Sequence, residues 1–191
     1  MNVLVIDSVT SNTEYKSINF TKKEASREYI EHADDILSIL KGVGSLVFAN
    51  VVEYKLDDPY TSINNHKNLN KALRYVVDNI EEDKSFDAIY VGVSYYNGNK
   101  TLAEETDKLI NKIGIPIICP AENNKKERDR YKNALYLSPS GDNPLVKYIC
   151  SIENSWPNCL AFKGTQGSEK QKKQEYSSRL AAMYILTLNR Q

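Results

Sequence analysis

Two residues with acid–base side chains stand where an α/β protein could use them together. Asp7 closes the apolar run NVLVI (2–6), and His32 opens the helical pattern EHADDILSIL. In parallel sheets, functional side chains gather beyond the carboxyl ends of strands, and an aspartate there can orient a histidine that acts as a general base. The alternative roles are an Asx turn or helix cap for Asp7 and a plain helix-face position for His32.

Alternating strand and helix patterns would have to bring these groups together. Helical spacing of apolar residues follows or precedes each strand-like run, as in NLNKALRYVVDNI. Such strand–helix–strand order is typical of an α/β protein. It predicts a three-layer α/β fold in which a mostly parallel sheet carries helices on both faces, formed by a single domain over residues 1–191. The predicted strands cover residues 2–6, 45–54, 86–93 and 115–119, and the predicted final helix covers residues ~176–188.

Composition excludes several classes of function. The 25 basic and 25 acidic residues cancel, so no positive field favours nucleic acid or an anionic membrane as a partner. Three cysteines without C-x-x-C spacing argue against a disulfide framework, and His66 among asparagines gives no metal-ligand spacing. We therefore expect no metal, no cofactor and a cytoplasmic location, since the chain opens without a signal-peptide pattern and has no membrane-spanning run.

Several segments together resemble the subtilases, the subtilisin-like serine proteases. NVLVIDSVTSN is similar to the strand that ends at their triad aspartate, and HADDILSIL is similar to their histidine helix. KLINKIGIPIICPAENN resembles the segment that leads to their oxyanion-hole asparagine, and SSRLAAMYILTL resembles the helix after their nucleophile. The resemblance implies a subtilisin-like fold with Asp7, His32 and Asn123 at the triad and oxyanion positions. FDAIYVGVSYYNG looks like their substrate-binding segment, so the implied peptide-binding residues are Gly92, Ser94, Tyr95, Tyr96 and Glu122, although an ordinary turn is the alternative for the two tyrosines.

The nucleophile of that family is missing from its expected place. Subtilases carry G-T-S-x-A just before the last helix, whereas this chain reads KGTQGSEKQKKQEYSSRLAA. Gln166 takes the serine position when the G-T is aligned, and Gln174 takes it when the helix is aligned. Neither amide can serve as an acyl-transfer nucleophile, so Ser168 is the displaced serine that an active enzyme would use.

Other departures affect the expected base and oxyanion site. Ala33 and Asp34 replace the glycine and threonine that follow the histidine of subtilases, and Asp35 comes next. We expect the carboxylates of Asp34 and Asp35 to lie beside His32 and to favour its protonated form. Glu122 replaces the glycine before the oxyanion-hole asparagine. A protonated imidazole cannot act as a general base, so these departures weaken the case for catalysis.

Three functions remain open from the sequence. The chain is interpreted first as a subtilase-like pseudoenzyme that recognises a peptide or protein partner without cleaving it. The second interpretation is a divergent, active serine endopeptidase that uses Asp7, His32 and Ser168. The third is a doubly wound α/β domain with a regulatory or small-ligand role. A serine hydroxyl within reach of His32 distinguishes the active enzyme from the inactive one.

Overall fold

A computed structural model gives the fold of the chain. It describes residues 1–22, 25–53, 59–79, 86–92, 99–121, 143–151, 159–162 and 177–188. The strands are β1 (Asn2–Asp7), β2 (Lys16–Asn19), β3 (Ser45–Asn50), β4 (Ala88–Val91), β5 (Ile117–Pro120), β6 (Val146–Ser151) and β7 (Cys159–Phe162). The helices are α1 (Arg27–Leu40), α2 (Pro59–Asp78), α3 (Lys100–Ile113) and α4 (Ser177–Leu188).

All seven strands form one parallel sheet in the order β2-β3-β1-β4-β5-β6-β7. The buried strands are continuous apolar runs, as expected where helices cover both faces. The predicted α/β class is therefore confirmed, and the sheet is wholly parallel among the described strands. Within the same residues, no helix combines the length and hydrophobicity needed to cross a membrane.

Alternation along the strands divides the core between two faces. Val3, Val5 and Tyr90 point toward α1 and α4, whereas Leu4 and Ile6 point toward α2 and α3. The apolar face of α1 repeats at helical spacing and packs on the first of these faces. Its buried residues are Ala33, Ile36, Leu37 and Leu40. Asp7 has the same parity as Val3 and Val5, so the strand directs it toward the α1 side.

Several element bounds differ from those predicted. β3 ends at Asn50 instead of residue 54, because its pairing partner β1 ends at Asp7, which is paired with Asn50. β4 is likewise shorter than predicted. The pattern predicts that His32 lies at or near the start of its helix, and in the structure α1 begins earlier, at Arg27 after Ser26, so that His32 lies in its second turn. The first turn, REYI, was missed because the regular burial of α1 begins only at Ala33.

Candidate functional site at the carboxyl edge of the sheet

Asp7 ends the strand at which the order of the sheet reverses. β3 lies on one side of β1 and β4 lies on the other, so the chain builds the sheet outward in both directions from β1. Backbone hydrogen bonds join the three strand ends there, from Val51 N to Asp7 O (3.0 Å) and from Gly92 N to Ile6 O (3.0 Å). Open parallel sheets bind ligands in the crevice at this kind of reversal.

His32 reaches that crevice from α1. Its Nε2 lies 3.1 Å from Oδ2 of Asp7, which is 1% exposed, while the imidazole is 35% exposed. Oδ2 of Asp7 has no hydrogen-bond donor of good geometry among the described residues, so its contact with His32 is a close approach that becomes an ion pair when the imidazole is protonated. The structure thus brings the two residues together, with the acid buried and the imidazole reaching solvent.

The ring nitrogen that faces the aspartate is the unexpected one. In a Ser-His-Asp triad the aspartate holds Nδ1–H, which leaves Nε2 to take the serine proton. Here Nε2 faces Asp7, so Nδ1 is the nitrogen left for any further partner. A hydroxyl approaching as it does in a triad would therefore not meet the usual base nitrogen.

Charge around His32 favours its protonated form. The pKa of His32 is raised above 6.5, first by its close contact with Asp7 and then by the negative charge of that carboxylate. Burial lowers the pKa, and Asp35 adds a smaller upward effect. The upward effects prevail, so a larger share of the imidazole is cationic near neutral pH than in a free histidine.

The two carboxylates after His32 have different partners. Asp34 accepts hydrogen bonds from the hydroxyl of Thr10 and from the backbone and hydroxyl of Ser11, the latter two at 2.8 and 2.6 Å. Burial raises the pKa of Asp34, but these hydrogen bonds outweigh it and lower the pKa overall. Asp35 binds Arg179 and remains close enough to influence His32. The expectation that both carboxylates act on His32 is thus corrected for Asp34, whose role is to tie the segment after β1 to α1.

The first turn of α4 is fastened to this edge through three consecutive residues. The hydroxyl of Ser177 donates to the carbonyl of Ala121, just after β5. The carbonyl of Ser178 accepts from the hydroxyl of Tyr90 at 3.3 Å, and Arg179 pairs with Asp35 on α1. Burial, and then the charge of Asp7, raise the pKa of Tyr90 well above its ordinary value, so its hydroxyl stays a neutral donor. The start of α4 therefore has a fixed position beside the Asp7–His32 pair.

The remaining predicted site residues divide into two groups. Gly92 lies directly after β4 and so close to Asp7 and Tyr90 that a Cβ at this position would collide with their side chains. The other predicted residues lie outside the described residues, as do the two glutamines at the nucleophile positions. These predicted residues are Ser94, Tyr95, Tyr96, Glu122, Asn123 and Ser168.

Sequence reasoning missed the contribution of Tyr90 and the pairing of Asp35 with Arg179. Arg179 is 144 positions from Asp35 along the chain, and no local pattern marks the pair. Tyr90 lies inside an apolar strand, where an aromatic residue is ordinary. The available signal was the parity of the strand, which places Tyr90 on the same face as Asp7.

A separate polar cluster surrounds the second histidine, between α2 and α3. His66 is 0% exposed, and its Nε2 lies 2.8 Å from Oγ1 of Thr106. The single proton of that hydroxyl is shared between two acceptors, Oδ1 of Asn70 (2.6 Å) and the Leu102 carbonyl (2.8 Å). Since the hydroxyl has one proton and spends it on these acceptors, we assign Nε2 of His66 as the protonated donor to Thr106. Across the described ranges, no group of three or more His, Cys, Asp or Glu side chains could hold a metal ion.

The structure also contains a cavity of about 420 Å³ at the other end of the sheet. Asn2 and Ser45, the first residues of β1 and β3, line it together with Lys16, Tyr75 and Phe86. Asp7 is the last residue of β1, and His32 contacts it there, at the opposite end of these strands. The cavity is therefore separate from the Asp7–His32 site.

Comparison with known proteins adds distant structural similarity. No family model matches the chain, and no curated protein matches it. A solved structure described as the PatG macrocyclase domain is similar over 78% of this chain, with 10% sequence identity and a TM-score of 0.43. The similar part covers 56% of that chain, or little more than half its length. The residues of the chain itself must therefore carry the functional interpretation.

Proposed function

We propose that this chain binds an extended peptide at the carboxyl edge of its sheet and does not cleave it. The observation that carries the proposal is the Asp7–His32 contact at the strand where the sheet order reverses. Ligands of open parallel sheets bind at this place. The subtilase-like order of the sequence motifs supports a peptide as the ligand.

The charge and orientation of His32 support binding without cleavage. A general base needs a neutral nitrogen aimed at the proton it removes. His32 is biased toward the cation, and its Nε2 is turned to Asp7. The sequence adds glutamine at either alignment of the nucleophile position. An imidazole with this charge and orientation is better suited to donate a hydrogen bond than to remove a proton.

A cationic imidazole suits the carbonyl oxygens of a peptide backbone. With Nε2 facing Asp7, Nδ1–H is the donor that remains, and about a third of the ring is exposed to solvent. Hydrogen bonds from a charged donor contribute about 1.5–3 kcal/mol. His32 can therefore anchor one peptide carbonyl, while Asp7 fixes the ring in place.

Absence of cleavage is tested by an activity-based probe. The purified chain is treated with a fluorophosphonate, and labelled residues are mapped by mass spectrometry. We expect no labelled serine, because labelling requires an activated hydroxyl. Labelling of Ser168 that disappears in His32→Ala would overturn the proposal and establish the divergent peptidase.

Binding is tested by NMR with peptides of defined sequence. A set of unstructured octapeptides, blocked at both ends, is titrated into ¹⁵N-labelled protein. We expect shifts in the amides of Asp7, His32 and Gly92, and roughly tenfold weaker binding in His32→Gln through loss of a charge-assisted hydrogen bond. Arg27→Gln, on the exposed side of α1, is the matched control and should bind as the wild type does. Shifts confined to another surface, or none at millimolar peptide, would refute the proposal.

A further inference from the structure

Gly92 occupies a position where a side chain and the Asp7 carboxylate cannot both fit. A Cβ built at Gly92 would lie 2.8 Å from Cγ of Asp7 and 2.6 Å from Cε1 of Tyr90, and it would lie closer still to Oδ2 of Asp7. Oδ2 is the oxygen that faces His32. A side chain at this position would thus collide first with the atom that forms the ion pair.

The backbone does not explain the glycine. Among the described residues, Gly114 is the glycine with a positive φ, at 71°, so Gly92 has no left-handed conformation that would require glycine. Its amide hydrogen bond to Ile6 O is one that any residue other than proline could make. What remains is the space that the missing side chain leaves.

We propose that Gly92 is a positioning residue that keeps the Asp7 carboxylate directed at His32. The proposal deepens the proposed function, on which it rests, and replaces the predicted peptide contact of Gly92 with a role exerted through Asp7. Tyr90 closes the other side of the same space, because its ring adjoins Gly92 and its hydroxyl is held by Ser178. With Tyr90 fixed by burial, the carboxylate would have to leave the position in which its Oδ2 lies 3.1 Å from Nε2 of His32.

The test is a pH titration of the chain in which NMR signals of the His32 imidazole ring report its pKa. In Gly92→Ala, displacement of Asp7 should lower the pKa of His32 toward or below 6.5, since the contact with Asp7 is the main cause of its elevation. Gly42→Ala is the matched control, because a Cβ there meets no atom within 4 Å. A folded Gly92→Ala protein in which His32 titrates as in the wild type would overturn the proposal.

A double mutant shows whether the effect passes through Asp7. Asp7→Asn keeps the shape of the side chain and removes its charge, so it should lower the His32 pKa by itself. Adding Gly92→Ala to Asp7→Asn should then produce little further change if Gly92 acts through the carboxylate. A second decrease of similar size would contradict the proposal.

A second pair of variants applies if Gly92→Ala fails to fold. Asp7→Ala removes the carboxylate that the new methyl group would strike first and leaves only its contact with the Tyr90 ring. In urea unfolding, Asp7→Ala/Gly92→Ala should therefore fold, and Gly92→Ala should cost less stability in the Asp7→Ala background than in the wild type. If Asp7→Ala folds and the double variant does not, the collision lies elsewhere and the proposal is wrong. None of these measurements needs a peptide, so failure of peptide binding would count against the proposed function alone.

Discussion

The two histidines of this chain lie on opposite faces of one sheet and have opposite surroundings. His66 is fully buried between α2 and α3, and its ring bonds to the neutral hydroxyl of Thr106. His32 is partly exposed between α1 and the end of β1, and its ring faces the carboxylate of Asp7. One histidine belongs to a buried hydrogen-bond network, whereas the ring of the other is partly exposed to solvent.

The difference teaches which histidine can respond to a ligand. A buried polar network stabilises a fold when every member is paired, and it has no donor left for another molecule. A carboxylate beside an imidazole raises its pKa, and about a third of the His32 side chain stays exposed to solvent. His66, on the α2–α3 face, is therefore a structural residue. His32, on the α1–α4 face, is the functional residue of our proposal.

The largest loss of stability is expected from a variant that breaks the hydrogen-bond network around His66. Thr106→Val keeps the volume of the side chain but removes the hydroxyl, which leaves His66 Nε2 and Asn70 Oδ1 without this partner. Each buried polar group left unpaired costs about 1–3 kcal/mol, so the free energy of unfolding should fall by about 2–5 kcal/mol in urea denaturation. Thr101→Val, at an exposed position of the same helix, is the matched control and should change stability by no more than ~0.5 kcal/mol. Equal losses in both variants would remove the structural role assigned to His66.

A smaller effect is expected from the pH dependence that His32 contributes. Its folded-state pKa is raised above 6.5, so its stabilising contribution is complete below pH 6.5 and is lost as the pH rises through the raised value. The difference in unfolding free energy between wild type and His32→Gln should therefore be largest in mild acid and shrink toward alkaline pH. Because the imidazole is partly exposed, we expect a difference of about 1 kcal/mol at most. A difference that grows with pH would show that the pKa is lowered instead.

The fold could be predicted from the sequence because apolar residues occur in continuous runs in the strands and at helical spacing in the helices. The runs ending at Asp7 and near Asn50 have no polar interruption, which is typical of strands covered on both faces. β2 was not predicted, because Lys16–Asn19 is a short, mostly exposed edge strand without an apolar alternation. Such a strand forms by pairing with β3, and that contact is tertiary.

The site could be predicted only in part. The order of strand and helix indicated that Asp7 and His32 share one edge of the sheet, and in the structure they are in contact. Their catalytic roles stay a prediction. The nitrogen that His32 presents to Asp7, and the space left by Gly92, depend on side-chain packing between segments far apart in the chain, which periodicity does not encode.

The smallest effect is expected from changing the two charged residues near His32 on the α1–α4 face, Asp35 and Arg179. Asp35 raises the pKa of His32, and Arg179 offsets part of that negative charge by pairing with Asp35. Removing either partner should therefore shift the NMR titration of His32 in opposite directions: Asp35→Asn lowers its pKa, and Arg179→Gln raises it. Both variants should change the free energy of unfolding by only ~0.2–1 kcal/mol, because both side chains are more than a third exposed to solvent.

A matched control for this last prediction lies on the same helix. Arg27 pairs with Glu31 at 2.7 Å with a side chain that is 92% exposed, so Arg27→Gln removes a comparable ion pair in a more screened place. The His32 titration should stay nearly unchanged in that variant. Shifts of the same sign in Asp35→Asn and Arg179→Gln would mean that α4 acts on His32 by moving α1 and not through charge. In that case the Arg179–Asp35 pair would resemble the His66 network, as a contact that holds two helices together.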